Sequence, residues 1–393
     1  MTLAGRCFGP AVEARLRLAA ERLLRHRFEA WFYGDSIGFE GLLEASELFG
    51  VERYRSFAHG FLRGWAARDL PRRADDNTAP GRVLCELADE EDDAELSAAA
   101  HRLAGHLAAR RRVGGTAVTF EDARRSLREP YGGGALPADE ARLLKDPGPG
   151  IYVDCLHFDP PFYAALGLLE EHDVRESGAR DGVGARGAGE GADPGGGDWG
   201  RRAVEEAVGY AQLLQDPATG RFAHFWLERT GRTYGLGWGR GQGWALLGLL
   251  DVLDLVPAAT VGRTEVERSA RRLLEAMLLT QRPDGSWHAV IGEPDSGDET
   301  STGAFMAAAF VRAARLGLAE RSMLLPAAER AWAAVLEALD EDGLLSGVSA
   351  AVYASTQPGH YHHVPRGSDV PWGQGALLVA ALERARGEET PLP

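Results

Sequence analysis

A chain of 393 residues, 45% of them hydrophobic, carries enough apolar material for a large core, and its length is usual for one closed barrel. The formal charge is −15, and among 43 basic residues Lys145 is the single lysine; an acidic chain with dispersed arginines argues against a nucleic-acid surface. Cys7, Cys85 and Cys155 are far apart and form no CxxC pair, which suits free thiols and gives no zinc pattern, so neither a metal nor a cofactor is expected. No apolar signal segment opens the chain and no apolar run reaches the ~20 residues of a membrane span, so the expectation is a cytoplasmic protein with no membrane partner.

Nearly every periodic segment reads as helix. The spacing of apolar residues predicts helices at about 16–26, 37–48, 54–67, 82–88 and 94–111. A long irregular connection, 113–152, follows, with turn signals at Tyr131-Gly-Gly-Gly134 and Pro147-Gly-Pro-Gly150. A sixth helix covers about 154–171, and the Gly-rich stretch at about 177–197 reads as a flexible surface insertion, because the helical pattern resumes unchanged after it. Further helices are predicted at about 201–214, 245–256, 265–281, 302–316, 326–339 and 374–386. The helix at 245–256 is apolar almost all round and is opened by Trp238-Gly-Arg-Gly-Gln-Gly-Trp244, so it is expected at the centre of the fold.

Twelve helices form six consecutive pairs. The simplest closed arrangement is one domain over residues 1–393, an all-α double ring of six inner and six outer helices. An open solenoid is the alternative, but its units usually resemble one another more than these do.

The residues in front of the even-numbered helices carry most of the chemistry. They include Trp31, Tyr33 and Asp35; Asp75 and Asp76; Asp154, His157 and Asp159; Trp238, Arg240 and Trp244; Asp298 and Glu299; and Asp369 and Trp372. In a double ring the even helices run one way, so their amino ends converge on one pocket. Capping accounts for an Asp or Thr at a helix start, but not for Trp31, Trp244, Trp372 and Arg240 at the same end. Arg240, on the first turn of a buried helix, sits where backbone N–H groups and the helix dipole favour an anion; a local carboxylate is its alternative partner.

The ordered set of motifs resembles the unsaturated glycuronyl hydrolases of glycoside hydrolase families 105 and 88, the rhamnogalacturonyl hydrolase type. The matching stretches are Trp238-Gly-Arg-Gly-Gln-Gly-Trp-Ala245, Gln281-Arg-Pro-Asp-Gly-Ser-Trp-His288, Glu299-Thr-Ser-Thr302, Val153-Asp-Cys-Leu156, Thr219-Gly-Arg-Phe-Ala-His224 and Trp372-Gly-Gln-Gly375. The resemblance implies an (α/α)6 barrel acting on an unsaturated oligosaccharide, from which it removes a terminal 4,5-unsaturated uronic acid by hydrating the enol ether. By motif position it implies Asp154 as the catalytic acid/base, Asp76, His224, Arg240 and Trp244 as substrate-binding residues, and Tyr33 and His157 as further contacts. One carboxyl can serve both proton transfers, unlike the usual two-carboxylate plan.

The chain departs from that pattern in 113–152, which lacks the family's aromatic turn and its His, and in Cys155-Leu-His-Phe-Asp-Pro-Pro-Phe162. These changes leave the sugar and its linkage open. Same-fold alternatives are an inverting glycosidase or an epimerase, with Asp76 or Glu299 as the second carboxylate; a cyclase and a non-catalytic carbohydrate-binding barrel are others. Gly237–Gly243 lacks the preceding strand of a dinucleotide site, Asp89-Glu-Glu-Asp-Asp93 reads as a solvated turn, and adjacent His362 and His363 point apart, which argues against a metal.

Overall fold

A computed structural model describes residues 2–72, 78–133, 136–180 and 198–389. A short α1 (Leu3–Cys7) leads into α2 (Pro10–Arg25) and α3 (Asp35–Phe49), followed by α4 (Glu52–Ala66) and α5 (Gly81–Glu90). After α6 (Ala94–Ala108) come β1 (Arg112–Val113), β2 (Thr116–Ala117), α7 (Ala138–Lys145), β3 (Gly150–Tyr152) and α8 (Asp159–Arg180). The chain continues with α9 (Trp199–Leu214), β4 (Phe225–Leu227), β5 (Arg232–Tyr234) and α10 (Gly239–Leu255). It ends with α11 (Arg263–Thr280), α12 (Thr300–Arg315), α13 (Arg321–Ala338) and α14 (Pro371–Glu389).

Helices α3, α5, α8, α10, α12 and α14 pack side by side, and α14 closes on α3. Helices α2, α4, α6, α9, α11 and α13 lie outside them. This is the all-α (α/α)6 double ring expected from the helix count. Hydrophobic pattern decides which ring a helix joins. From Gly239 to Leu253 every residue of α10 is buried, whereas α4 buries only Tyr54, Ala58, Leu62, Trp65 and Ala66, one stripe at helical spacing.

The seam that closes the inner ring depends on two glycines. Gly41 and Gly375 meet backbone to backbone: a Cβ on Gly41 would lie 2.7 Å from the Gly375 Cα, and one on Gly375 would collide with the Ile37 carbonyl. Without side chains there, α3 and α14 approach closely enough to bury Phe39, Leu42 and Leu377.

The structure adds elements that periodicity does not reveal. Within 113–152, the Gly114-Gly115 pair, both at positive φ, turns β1 back onto β2 with Val113 opposite Thr116; Gly-Gly between short extended segments is a hairpin signal. Strands β3, β4 and β5 form a second small antiparallel sheet. Helix α13 starts at Arg321, ahead of the expected 326, and carries Pro326 inside it. The predicted insertion at 177–197 meets the end of α8 at Arg180, and its remainder, 181–197, lies outside the described residues. Among the described residues no helix is long and apolar enough to cross a membrane.

Gly375→Ala is expected to lower stability by about 1–3 kcal/mol through overpacking at the seam. Gly60→Ala on the solvent face of α4, where nothing lies within 4 Å, is expected to raise it by about 0.5–1 kcal/mol. Thermal unfolding of the two variants checks this; equal midpoints would refute the tight seam.

Candidate active site

The small sheet builds the centre of the site. Tyr152 of β3 pairs with Phe225 of β4. The pairing continues one step past the strands, where the Val153 N–H donates to the His224 carbonyl at 2.8 Å. The next residue along β3's chain is Asp154, so the register delivers Asp154 and His224 to one point: Asp154 Oδ2 lies 3.6 Å from His224 Nε2. Asp154 does not cap the long helix α8, the alternative role that a helix starting at about 154 would give it. It sits in a separate single turn, Val153–Leu156, in front of α8. Gly248 of α10 admits that turn, since any Cβ there would collide with the Leu156 carbonyl.

Asp154 lies at the bottom of a cleft of ≈ 260 Å³. Its walls include Trp31 and Tyr33 ahead of α3, Tyr152, and Trp238 ahead of α10. The aromatic wall before α3 is held by Asp35, whose buried carboxylate accepts from the backbone N–H groups of Glu29 (2.5 Å) and Ala30 (2.9 Å). That clasp keeps Ala30 at φ 64°, a conformation costly for a residue with a side chain. Tyr33 stacks on Trp372, with ring centroids 4.9 Å apart.

His224 is fixed from three sides. Its ring packs 4.3 Å from Trp238, its Nε2 faces Asp154, and its Nδ1 is 2.9 Å from the Tyr361 hydroxyl. Burial, with the neighbouring Tyr152 and the Asp154 charge, pushes the Tyr361 hydroxyl well above its ordinary value. The phenol therefore keeps its proton and can donate it to Nδ1, which leaves the Nε2–H directed at Asp154.

Three expected substrate contacts lie behind the cleft. Arg240 is fully buried: its Nη1 donates to Glu299 Oε1 at 3.2 Å and Ser349 Oγ at 2.6 Å, its Nη2 donates to the Ala350 carbonyl at 3.0 Å, and its guanidinium lies between Trp238 and Trp372. The local-carboxylate alternative is the one realised, because a charge this far from water needs a permanent partner. Trp244 is a core side chain packed on His157, Phe158 and Phe305. His157, 2% exposed, is bonded to Glu40 Oε1 at 3.1 Å. Asp76 lies outside the described residues.

Glu299 is likewise unavailable as a second carboxylate across the cleft. Ser301, Thr302, Ser349 and Arg240 bond its two oxygens. Burial alone would raise this carboxyl; Arg240 and those hydrogen bonds hold it below the usual range. Among the described residues lining the cleft, Asp154 is the one acid.

The rim comes from two loops that the motif reading left aside. Leu127 bridges to Ala354, with the Arg128 N–H donating to the Ala354 carbonyl and the Ala354 N–H to the Ser126 carbonyl. Buried His360 staples them: Nδ1 accepts the Tyr131 N–H at 3.0 Å while Nε2 faces the carbonyls of Val352 (2.6 Å) and Tyr353 (3.1 Å). That arrangement requires a neutral ring, and burial holds the imidazole below its ordinary value.

What fold and cleft together define is an (α/α)6 barrel with, among the described residues, one carboxyl lining an aromatic cleft. Residues 20–387 match Glycosyl Hydrolase Family 88, and the chain belongs to that family. It is 31% identical to the unsaturated rhamnogalacturonyl hydrolase YesR of Bacillus subtilis over 44% of this chain and 48% of that protein. It is 32% identical to an unsaturated 3S-rhamnoglycuronyl hydrolase of Formosa agariphila over 39% of each. The alignments thus span less than half the length of these curated relatives. Among solved structures, a possible member of the GH105 family from Salmonella enterica superposes with TM-score 0.70 at 17% identity, covering 96% of this chain and 94% of the other. An unsaturated glucuronyl hydrolase from Bacillus sp. GL1 superposes with TM-score 0.64 at 19% identity, covering 95% of each chain.

Two outcomes test this site. Glu299→Ala strands the buried Arg240 charge and is expected to cost about 3–5 kcal/mol of stability; an unchanged unfolding midpoint would overturn the keystone role. For His360 the folded ring binds its proton less tightly than the unfolded one, so stability falls as pH drops below about 6.5, by at most about 1.4 kcal/mol per pH unit. His360→Gln cannot take up that proton and should flatten this slope, as read from denaturation midpoints between pH 5 and 7.

Proposed function

We propose that this protein is a single-domain hydrolase that removes a terminal 4,5-unsaturated uronic acid from oligosaccharides left by polysaccharide lyases. Membership of family 88 and the two relatives' names support the substrate class. The observation that carries the reading is Asp154, the one carboxylate among the described residues of the cleft, facing His224.

Asp154, as the acid, gives its proton to C4 of the C4=C5 double bond, and positive charge develops at C5. The resulting carboxylate takes a proton from water as the water oxygen bonds to C5, so the group ends as it began. The C5 hemiketal opens by breaking its bond to the ring oxygen, giving a C5 ketone and a hemiacetal at C1. That hemiacetal collapses to an aldehyde and releases the remaining sugar as an alcohol; one water is consumed. His224 fixes the carboxyl and contacts the uronate, Tyr361 sets the His224 tautomer, and Tyr33 supplies an aromatic face to the sugar ring. Cys7, Cys85 and Cys155, sparse and widely spaced, suit a reducing compartment, and the cytoplasm is the location this implies.

The test follows the ultraviolet absorbance of the conjugated double bond in an unsaturated disaccharide. Wild-type protein should abolish the absorbance, and Asp154→Asn, folded by circular dichroism, should lower kcat by at least about a hundredfold. Undiminished turnover in Asp154→Asn would reject the assignment.

A further inference from the structure

Beyond the rim of the cleft lies a second, wider hollow of ≈ 610 Å³, and the two share Arg128 and Tyr353. An oligosaccharide whose terminal sugar occupies the inner cleft beside Asp154 can continue across this junction, and the hollow is of a size that holds sugar-scale ligands. The junction is rigid. The Ala354 pairing and the His360 staple fix both loops, Tyr353 is held at φ 45°, and 43% of its surface faces solvent. The Arg128 guanidinium stands 5.0 Å over the Tyr353 ring.

Charge is the informative feature. In a chain of net charge −15, most arginines of the structure pair with carboxylates, yet among the described residues Arg128 makes no ion pair. The same hollow is also lined by Lys145, the chain's single lysine, exposed and likewise without an ion pair among the described residues. Glu129 is the one acid of this lining, so two cations face one anion. Guanidinium binds carboxylate and sulfate oxygens through paired N–H donors, and an aromatic face beside it suits a sugar ring.

We propose that Arg128, with Lys145 beyond it, binds an anionic group on the leaving part of the oligosaccharide, a carboxylate or a sulfate ester on the sugar next to the unsaturated uronate. Arg128 is then a specificity residue for charged leaving sugars, supplied by the segment 113–152. The inference rests on the hydrolase reading.

Three disaccharides separate the two. Each carries the same unsaturated uronate, linked to rhamnose, to sulfated rhamnose or to galacturonate. With Arg128→Ala, kcat/KM is expected to fall about tenfold for whichever charged disaccharide the site accepts, mostly through KM, and to stay within about twofold for the neutral one. Arg128→Lys should restore part of the loss, and added salt should raise KM only for the charged substrate. The sulfated and carboxylated arms identify which anion is bound. Equal loss on neutral and charged substrates, or no loss at all, overturns the subsite and leaves the hydrolase reading intact. A wild-type protein inert on all three overturns both.

Discussion

The buried pairing of Arg240 with Glu299 is the contact on which the upper end of the barrel depends. Taking either charge out of water costs several kcal/mol, which close pairing and further hydrogen bonds offset. Here the carboxylate caps α12 through the Thr302 N–H, accepts from Ser301 and Ser349, and meets the guanidinium of α10; the Ser349 carbonyl then accepts the Trp372 indole N–H of α14. Three inner helices are therefore tied at their amino ends, where free backbone N–H groups need partners in any case. Trp238 connects this knot to the chemistry. One indole contact stacks it on Arg240, another sets the position of His224, and His224 faces Asp154.

Periodicity made the double ring legible, because inner and outer helices differ in how many sides are apolar. The convergence of helix starts on one end was legible too, and it correctly brought Trp31, Tyr33, Asp154 and Trp238 to one cleft. Depth was not. A Trp or Arg at a helix start looks the same in sequence whether it faces the cavity or the layer behind it, and Arg240 and Trp244 fall in the second class. Only the positions of Glu299 and Ser349, fixed by long-range packing, decide that. Asp154 and His224 are brought together by a three-residue strand pairing too short to leave a pattern. Tyr361 and His360 act through hydrogen bonds to His224 and to the Tyr131 N–H, both far away in the chain, which no local spacing encodes. The Gly-Gly hairpin in 113–152 is different: its signal was present, but its strands are two residues each and carry no alternation.

The barrel separates two kinds of polarity along its axis. In the cleft at the upper end, Asp154 is the one carboxyl among the described lining residues, and it meets aromatic walls. Below the cleft floor runs a chain of buried ions: His157 to Glu40, Glu40 to Arg82, and Arg312 to both Asp251 and Glu383. Burial would raise the Glu40 carboxyl, and Arg82 and His157 together bring it far below the usual range. Such networks are weak evidence for stability, since their desolvation cost rivals their attraction. They do fix relative positions, because an ion shifted from its partner is left buried and unpaired.

That positional constraint reaches the catalytic end through the turn Val153–Leu156. The turn is fastened in front by the Val153 bond to His224, beneath by the Leu156 carbonyl seated on Gly248, and behind by His157 bonded to Glu40 of α3. Asp154 lies between these fastenings. In the mechanism we propose, a carboxyl that donates a proton to one carbon and then draws one from a water gains from a backbone that cannot swing, since misplacement by about 1 Å is enough to lose orders of magnitude in rate. His157, though absent from the cleft wall, thus bears on the chemistry through the backbone it anchors. The same division of labour explains the rim: His360 and the Leu127–Ala354 bridge hold Arg128 and Tyr353 still, while the side chains themselves remain open to a ligand.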